Sequence, residues 1–149
     1  MRILGIETSC DETAAAVVEM SGSNLQISVF SNVVASQIDI HTKYGGVVPE
    51  VAARTHVVTI IPTIEAAIKH AGGTMEKPKI DAIAVTYGPG LMTSLAVGVE
   101  TATALGYVWG IPVIGINHLE GHIAANFIDE RMSLRAKRSN LRGPRRLPR

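Results

Sequence analysis

The 149 residues are 46% apolar and 18% charged, a composition that describes one globular domain and excludes a disordered chain. The single Cys10 excludes a disulfide framework and a four-cysteine zinc site, and it suits a reducing, intracellular compartment. The net charge of +1 conceals two opposite parts. Residues 1–130 carry all 13 acidic groups against six basic ones, whereas 131–149 carry eight basic groups and no acid. The expected organisation is therefore a body over 1–130 and a basic tail over 131–149. That tail reads as an RNA-phosphate arm, an unstructured end or a non-native continuation.

The apolar run after Met1-Arg2 stops at Glu7, so no secretory signal is read. The longest uncharged stretch, 82–99, is broken by Gly88-Pro89-Gly90 and is not read as a membrane span. The expectation is a cytoplasmic protein without a membrane partner.

Strands are predicted over 2–8, 13–20 and 25–35, joined by the polar turns 9–12 and 21–24. A polar loop over 36–46 follows. Residues 49–70 read as helix, with Pro49 in its first turn and Val51, Ala52, Val58, Ile61, Ile64, Ala67 and Ile68 on the apolar face. Pro62 predicts a kink or two abutting helices. A fourth strand is predicted over 80–86. Next comes a helix over 93–109, whose small residues Ala96, Val99, Ala102, Thr103 and Gly106 permit close packing on a sheet. A fifth strand over 112–116 and a last helix from Asn117 or His118 to Ile128 complete the body. The order β-β-β-α-β-α-β-α predicts an α/β fold with a mixed five-stranded sheet, the ribonuclease-H-like lobe shared by actin-like ATPases and sugar kinases. Element order speaks to fold and not to function.

Three constellations can carry chemistry. In His118-Leu119-Glu120-Gly121-His122 two imidazoles at i and i+4 share one helix face, which suits a shared divalent metal. Glu120 lies about 200° around the helix from His118 at about 100° per residue, so it does not serve as the base of a zinc protease. Asp11, Glu12, His41 and His56 are candidates for a third ligand, with His56 in an apolar helical context and His41 in a polar loop. In the turn Glu7-Thr8-Ser9-Cys10-Asp11-Glu12-Thr13, hydroxyls and backbone amides suit phosphate, and carboxylates suit a cation or proton transfer. The acids beside Cys10 disfavour its thiolate, so it is not a nucleophile. The loop Tyr87-Gly88-Pro89-Gly90-Leu91 before a helix can bring backbone close to an anion or simply make a tight connection.

Four segments occur in this order: Ile6-Glu7-Thr8-Ser9-Cys10-Asp11-Glu12-Thr13, the run from Tyr44-Gly45-Gly46 through Arg54 with His56, Gly88-Pro89-Gly90-Leu91, and Asn117-His118-Leu119-Glu120-Gly121-His122. Together they resemble the tRNA threonylcarbamoyladenosine transferase family, formerly called glycoprotease. The resemblance implies the N-terminal lobe of a two-lobe, actin-like enzyme. It implies transfer of a threonylcarbamoyl group from threonylcarbamoyl-adenylate to the exocyclic amine of the adenosine beside the anticodon of tRNA. It further implies one iron or zinc ion on His118 and His122, with a third ligand from a second lobe that this sequence lacks. Asp11 and Glu12 are the implied catalytic carboxylates, and Thr8, Ser9, Gly88 and Gly90 the implied substrate or phosphate contacts. A paralogous actin-like subunit is the implied protein partner. Thr103 departs from the basic residue common in the family. The alternatives are a non-catalytic partner-binding module and an actin-like sugar or acyl kinase, the latter leaving the histidine pair unexplained. A lobe without its second half is also expected to expose an apolar face on one of its two long helices.

Overall fold

The computed structural model describes residues 1–21, 26–128 and 139–140. Three strands open the chain as predicted: β1 (Arg2–Glu7), β2 (Glu12–Ser21) and β3 (Gln26–Ser36). Helix α1 (Ile38–His41) and a 3-10 turn (Thr42–Tyr44) follow, where a polar loop was expected. The helical turn holds because Thr42 Oγ1 donates to the Ile38 carbonyl and buried His41 anchors its end. Next come α2 (Pro49–His70), β4 (Ala82–Gly88), α3 (Met92–Trp109), β5 (Val113–Asn117) and α4 (His118–Ala125). A two-residue strand, β6 (Ser139–Asn140), falls in the segment expected to be tail. The rest of the tail lies outside the described residues.

The strands form one mixed sheet in the order β5-β4-β1-β2-β3-β6. β1 pairs antiparallel with β2 and parallel with β4, and β4 runs parallel to β5. The carboxyl ends of β1, β4 and β5 therefore meet at one edge of the sheet. In the two βαβ crossovers that build this arrangement, the helices pack on the sheet, α2 over β2 and β3 and α3 over β4 and β1.

Leu4, Ile6, Val17, Val33, Ile83 and Val85 of the sheet meet Ile60, Ile64 and Ile68 of α2 and Ala102 of α3 in the core. By length and composition α2 is apolar enough to cross a membrane. Its buried stripe accounts for that composition as core packing. The stripe differs from the predicted one: Ala52, His56, Ile60, Thr63, Ile64, Ala67 and Ile68 are buried, whereas Val58 and Ile61 face outward. The polar members His56 and Thr63 hide the true face from an apolar count. Pro62 does not divide the helix. The carbonyl it leaves without a partner belongs to Val58, which is exposed to water, while Ile60 and Ile64 anchor the turns around it.

On α3 the packing face is Ser94, Leu95, Gly98, Ala102 and Gly106, so Ala102 and Gly106 stand as expected but Ala96 and Thr103 are exposed. Val57, Val58 and Ile61 on α2 lie exposed, and Val57 and Ile61 line a groove of about 430 Å³ shared with Ala96 and Val97 of α3. Met92, Tyr107 and Val108 are exposed on α3 as well. The uncovered apolar surface thus spans both long helices.

His56 is fully buried in this core. Burial pushes its ring below the ordinary imidazole value. The Cys10 carbonyl and the charges of Glu7 and Asp11 oppose that shift, and His41 adds to it. The unfolded chain then binds a proton that the folded chain refuses, so stability falls with acidity. The contribution is complete above about pH 6.5 and is lost as the pH drops from there towards the folded value. Urea midpoints are expected to decline from pH 8 to pH 5.5, with a shallower slope in His56→Gln, which cannot titrate.

Candidate metal centre at the carboxyl edge of the sheet

Successive residues of a strand point to opposite faces. At the end of β1 this sends Glu7 and Ser9 to the face away from α2 and α3, and Thr8 towards the helices. Thr8 is 1% exposed, its hydroxyl donates to the Ser94 carbonyl at 2.8 Å, and it packs on Gly98. The structure places it as a joint between β1 and α3.

Glu7 and Ser9 enter a different cluster. The Glu7 carboxylate accepts from the Ser9 N–H at 2.5 Å and from the Thr86 hydroxyl on β4. His118, the first residue of α4, brings Nδ1 to 3.3 Å from Glu7 Oε2 and 3.2 Å from Ser9 Oγ. Burial by itself raises the Glu7 carboxyl. The Ser9 side chain, Thr86, the Ser9 N–H and His118 outweigh burial and hold it below the ordinary glutamate range. A carboxylate only accepts, so the His118 proton sits on Nδ1 and Nε2 is left as an acceptor.

That nitrogen faces His122. It accepts from the His122 Nε2–H, the two Nε2 atoms 3.1 Å apart and the rings edge to face at a centroid distance of 4.4 Å. Two nitrogens bound at about 2.0–2.1 Å to one tetrahedral ion stand about 3.3–3.4 Å apart. A cation held by both rings would take the place of the His122 Nε2 proton, with the pair opening by only a few tenths of an ångström. A carboxylate behind one imidazole is the usual second support of such a ligand. The donor set fits a borderline metal such as zinc or iron.

Asn117 fixes the entry into α4. Its side-chain oxygen accepts from the Leu119 N–H at 2.9 Å and the Glu120 N–H at 3.4 Å. Asn117→Ala is expected to destabilise the protein by about 1 kcal/mol, read from the urea midpoint.

The other expected site residues divide. Among the described residues no group of three His, Cys, Asp or Glu side chains converges as a metal site. His41 and His56, offered as third ligands, are buried 4% and 0% exposed, and both are engaged elsewhere. Their place is in the packing between the hairpin tip and α2. Asp11 is half-buried and Glu12 exposed, and no hydrogen bond or ion pair joins either to the imidazoles among the described residues. Cys10 is exposed, and burial with the Asp11 and Glu7 carboxylates pushes its thiol up, away from nucleophilic character. Gly90 lies flat against Ser9, where an added Cβ would stand 2.6 Å from the Ser9 carbonyl oxygen. The Leu91 N–H donates to that carbonyl at 2.8 Å. Gly88 closes β4 opposite Asn117. Glu7 enters the sequence reading only as one carboxylate of the turn 7–13, and Thr86 carries no role there. Their signal is position: both lie at the carboxyl end of a parallel strand, where open α/β sheets hold their ligands.

This sheet, with strand ends converging on a polar cluster, defines a ribonuclease-H-like lobe of the actin-like class. A solved structure with the same fold is YeaZ from Pseudomonas aeruginosa, at a TM-score of 0.54 and 16% identity, covering 78% of this chain and 42% of that one. The sequence model of tRNA N6-adenosine threonylcarbamoyltransferase matches residues 28–138. The chain belongs to that family. The transferase of that name from Clostridium perfringens (strain 13 / Type A) is 57% identical over 129 residues, 87% of this chain. The one from Thermomicrobium roseum is 55% identical over 128 residues, 86% of the chain. The chain spans 36% and 33% of the length of these two relatives. The family match runs eight residues past the expected boundary at 130.

Proposed function

We propose that this chain is the histidine-bearing lobe of a tRNA-modifying threonylcarbamoyl transferase. The reaction joins the exocyclic amine of an adenosine beside the anticodon to the carbamoyl carbon of threonylcarbamoyl-adenylate. The bond from that carbon to the phosphate oxygen breaks, AMP leaves, and the amine gives up a proton. The observation that carries this reading is the His118–His122 pair, its nitrogens 3.1 Å apart and its first ring backed by Glu7. Bound there, one iron or zinc ion would supply charge and Lewis acidity to the anhydride. Glu7 holds the His118 tautomer, and Ser9 with the Gly88–Gly90 loop lies beside the pair for the adenylate phosphate. Asp11 and Glu12 are the carboxylates offered for the amine proton.

Among the described residues two imidazoles make an incomplete ligand set; on this reading a second lobe supplies the third ligand, and the isolated chain is expected not to turn over. A second reading, a partner-binding module without catalysis, rests on the exposed Val57, Val58 and Ile61 of α2. Such a face would take a paralogous actin-like subunit. The test combines the purified chain with a separately expressed segment of the Clostridium perfringens relative that follows the matched third. Mass spectrometry of tRNA nucleosides then reads the product. Threonylcarbamoyladenosine formed by the mixture, and lost with His118→Ala, supports the transferase lobe. Stable association without product supports the module.

A further inference from the structure

Three successive carbonyls at the tip between β1 and β2 accept hydrogen bonds from three separate segments. Ser9 accepts from the Leu91 N–H at 2.8 Å, Cys10 from His56 Nε2 at 3.0 Å, and Asp11 from the Gln37 N–H at 3.0 Å. Only the donor to Cys10 is a side chain. Because a carbonyl only accepts, the His56 proton sits on Nε2, and Nδ1 is left to accept. Thr13 Oγ1 lies 2.8 Å from that Nδ1 and Gln37 Nε2 lies 3.4 Å from it. Gln37 Oε1 in turn stands 3.0 Å from His41 Nε2, and His41 Nδ1 accepts from the Val48 N–H at 3.4 Å. This buried relay fixes the His56 ring from both ends. An apolar residue of the same volume would fill the space and leave the Cys10 carbonyl without its donor.

The Cys10 carbonyl is one peptide unit from Ser9, whose N–H and hydroxyl meet Glu7 and His118. We propose that His56 is a positioning residue for the His118–His122 pair, holding the tip so that Ser9 and Glu7 orient the His118 ring. The inference rests on the reading of that pair as a cation site. It assigns α2, which contributes no ligand, a part in setting the site's geometry.

The test uses the full chain with His56→Gln and His56→Asn. Glutamine keeps an N–H donor near the Nε2 position, whereas asparagine keeps one only near Nδ1 and falls short of Cys10. Ring ¹H–¹⁵N spectra read the His118 tautomer without metal, zinc titration reads affinity, and thermal unfolding reads stability. His56→Asn is expected to lose the fixed Nδ1–H tautomer of His118 and to bind zinc about tenfold more weakly. His56→Gln keeps both. Unchanged His118 signals in a folded His56→Asn overturn the proposal, as does an equal loss in the glutamine variant. Should His56→Asn not fold, Ser9→Ala breaks the relay one link nearer, and an unchanged His118 spectrum there overturns it too. If the unaltered chain binds no zinc, the cation reading fails alone, while the metal-free tautomer still decides the role of His56.

Discussion

Glu7→Gln is expected to lower the affinity of the His118–His122 pair for zinc by about 10–100-fold. The amide keeps the size of the carboxylate, but its single oxygen replaces only one of the two acceptors: with that oxygen on the Ser9 N–H, an NH2 faces Thr86 and His118 Nδ1. The amide lacks the negative charge that fixes the proton on His118 Nδ1, where Glu7 Oε2 stands 3.3 Å away. A ring free to move its proton to Nε2 presents an N–H to the cation in place of a lone pair. Competition with a chromophoric chelator at pH 7.5 reads the change. Thr86→Val, which removes one donor to the same carboxylate, is expected to give a smaller loss in the same direction. Equal affinity in Glu7→Gln and the unaltered chain would remove the carboxylate from the site.

Gly98→Ala is expected to destabilise the fold, against the preference of helices for alanine. The gain in helix propensity is about 1 kcal/mol. The added Cβ, however, would stand 2.5 Å from Thr8 Oγ1, in the packed joint between α3 and β1. Overpacking of this kind costs about 1–3 kcal/mol and outweighs the propensity. It also displaces the hydroxyl that donates to Ser94. Thr8→Ala leaves only its own Cβ, 3.5 Å from the new methyl, an ordinary contact. The double variant is therefore expected to be more stable than the two single losses predict, with a coupling of about 0.5–3 kcal/mol in urea unfolding. Additive losses would mean that Thr8 and Gly98 do not share this joint.

The hydrophobic periods and turn residues made the five main strands, α2, α3 and α4 legible, because each is a local pattern of burial. The same reading placed two imidazoles on one face of α4, which needs only the helical repeat. It stumbled where a buried stripe carries polar side chains, as with His56 and Thr63 on α2: the partners of His56 come from the β1–β2 tip, from β2 and from the residue after β3, and Thr63 bonds back to the Thr59 carbonyl of its own helix. It also grouped Thr8 with Ser9, although the alternation of a strand sends them to opposite faces. The loop over 36–46 held a further case: His41 looked open to ligands in the sequence, and the fold turns it inward against Gln37.

The sequence by itself determined the order of the five main strands and three longer helices, the family and the histidine pair, all of which rest on patterns along the chain. Only the tertiary structure decided that Glu7 stands behind His118, that Thr86 joins it from β4, and that His56 reaches the Cys10 carbonyl. Glu7 and His118 are 111 positions apart. They meet because β1 lies between β2 and β4, so that three parallel strands end at one edge. No local pattern encodes that pairing; it follows from which strand each apolar face finds to cover it.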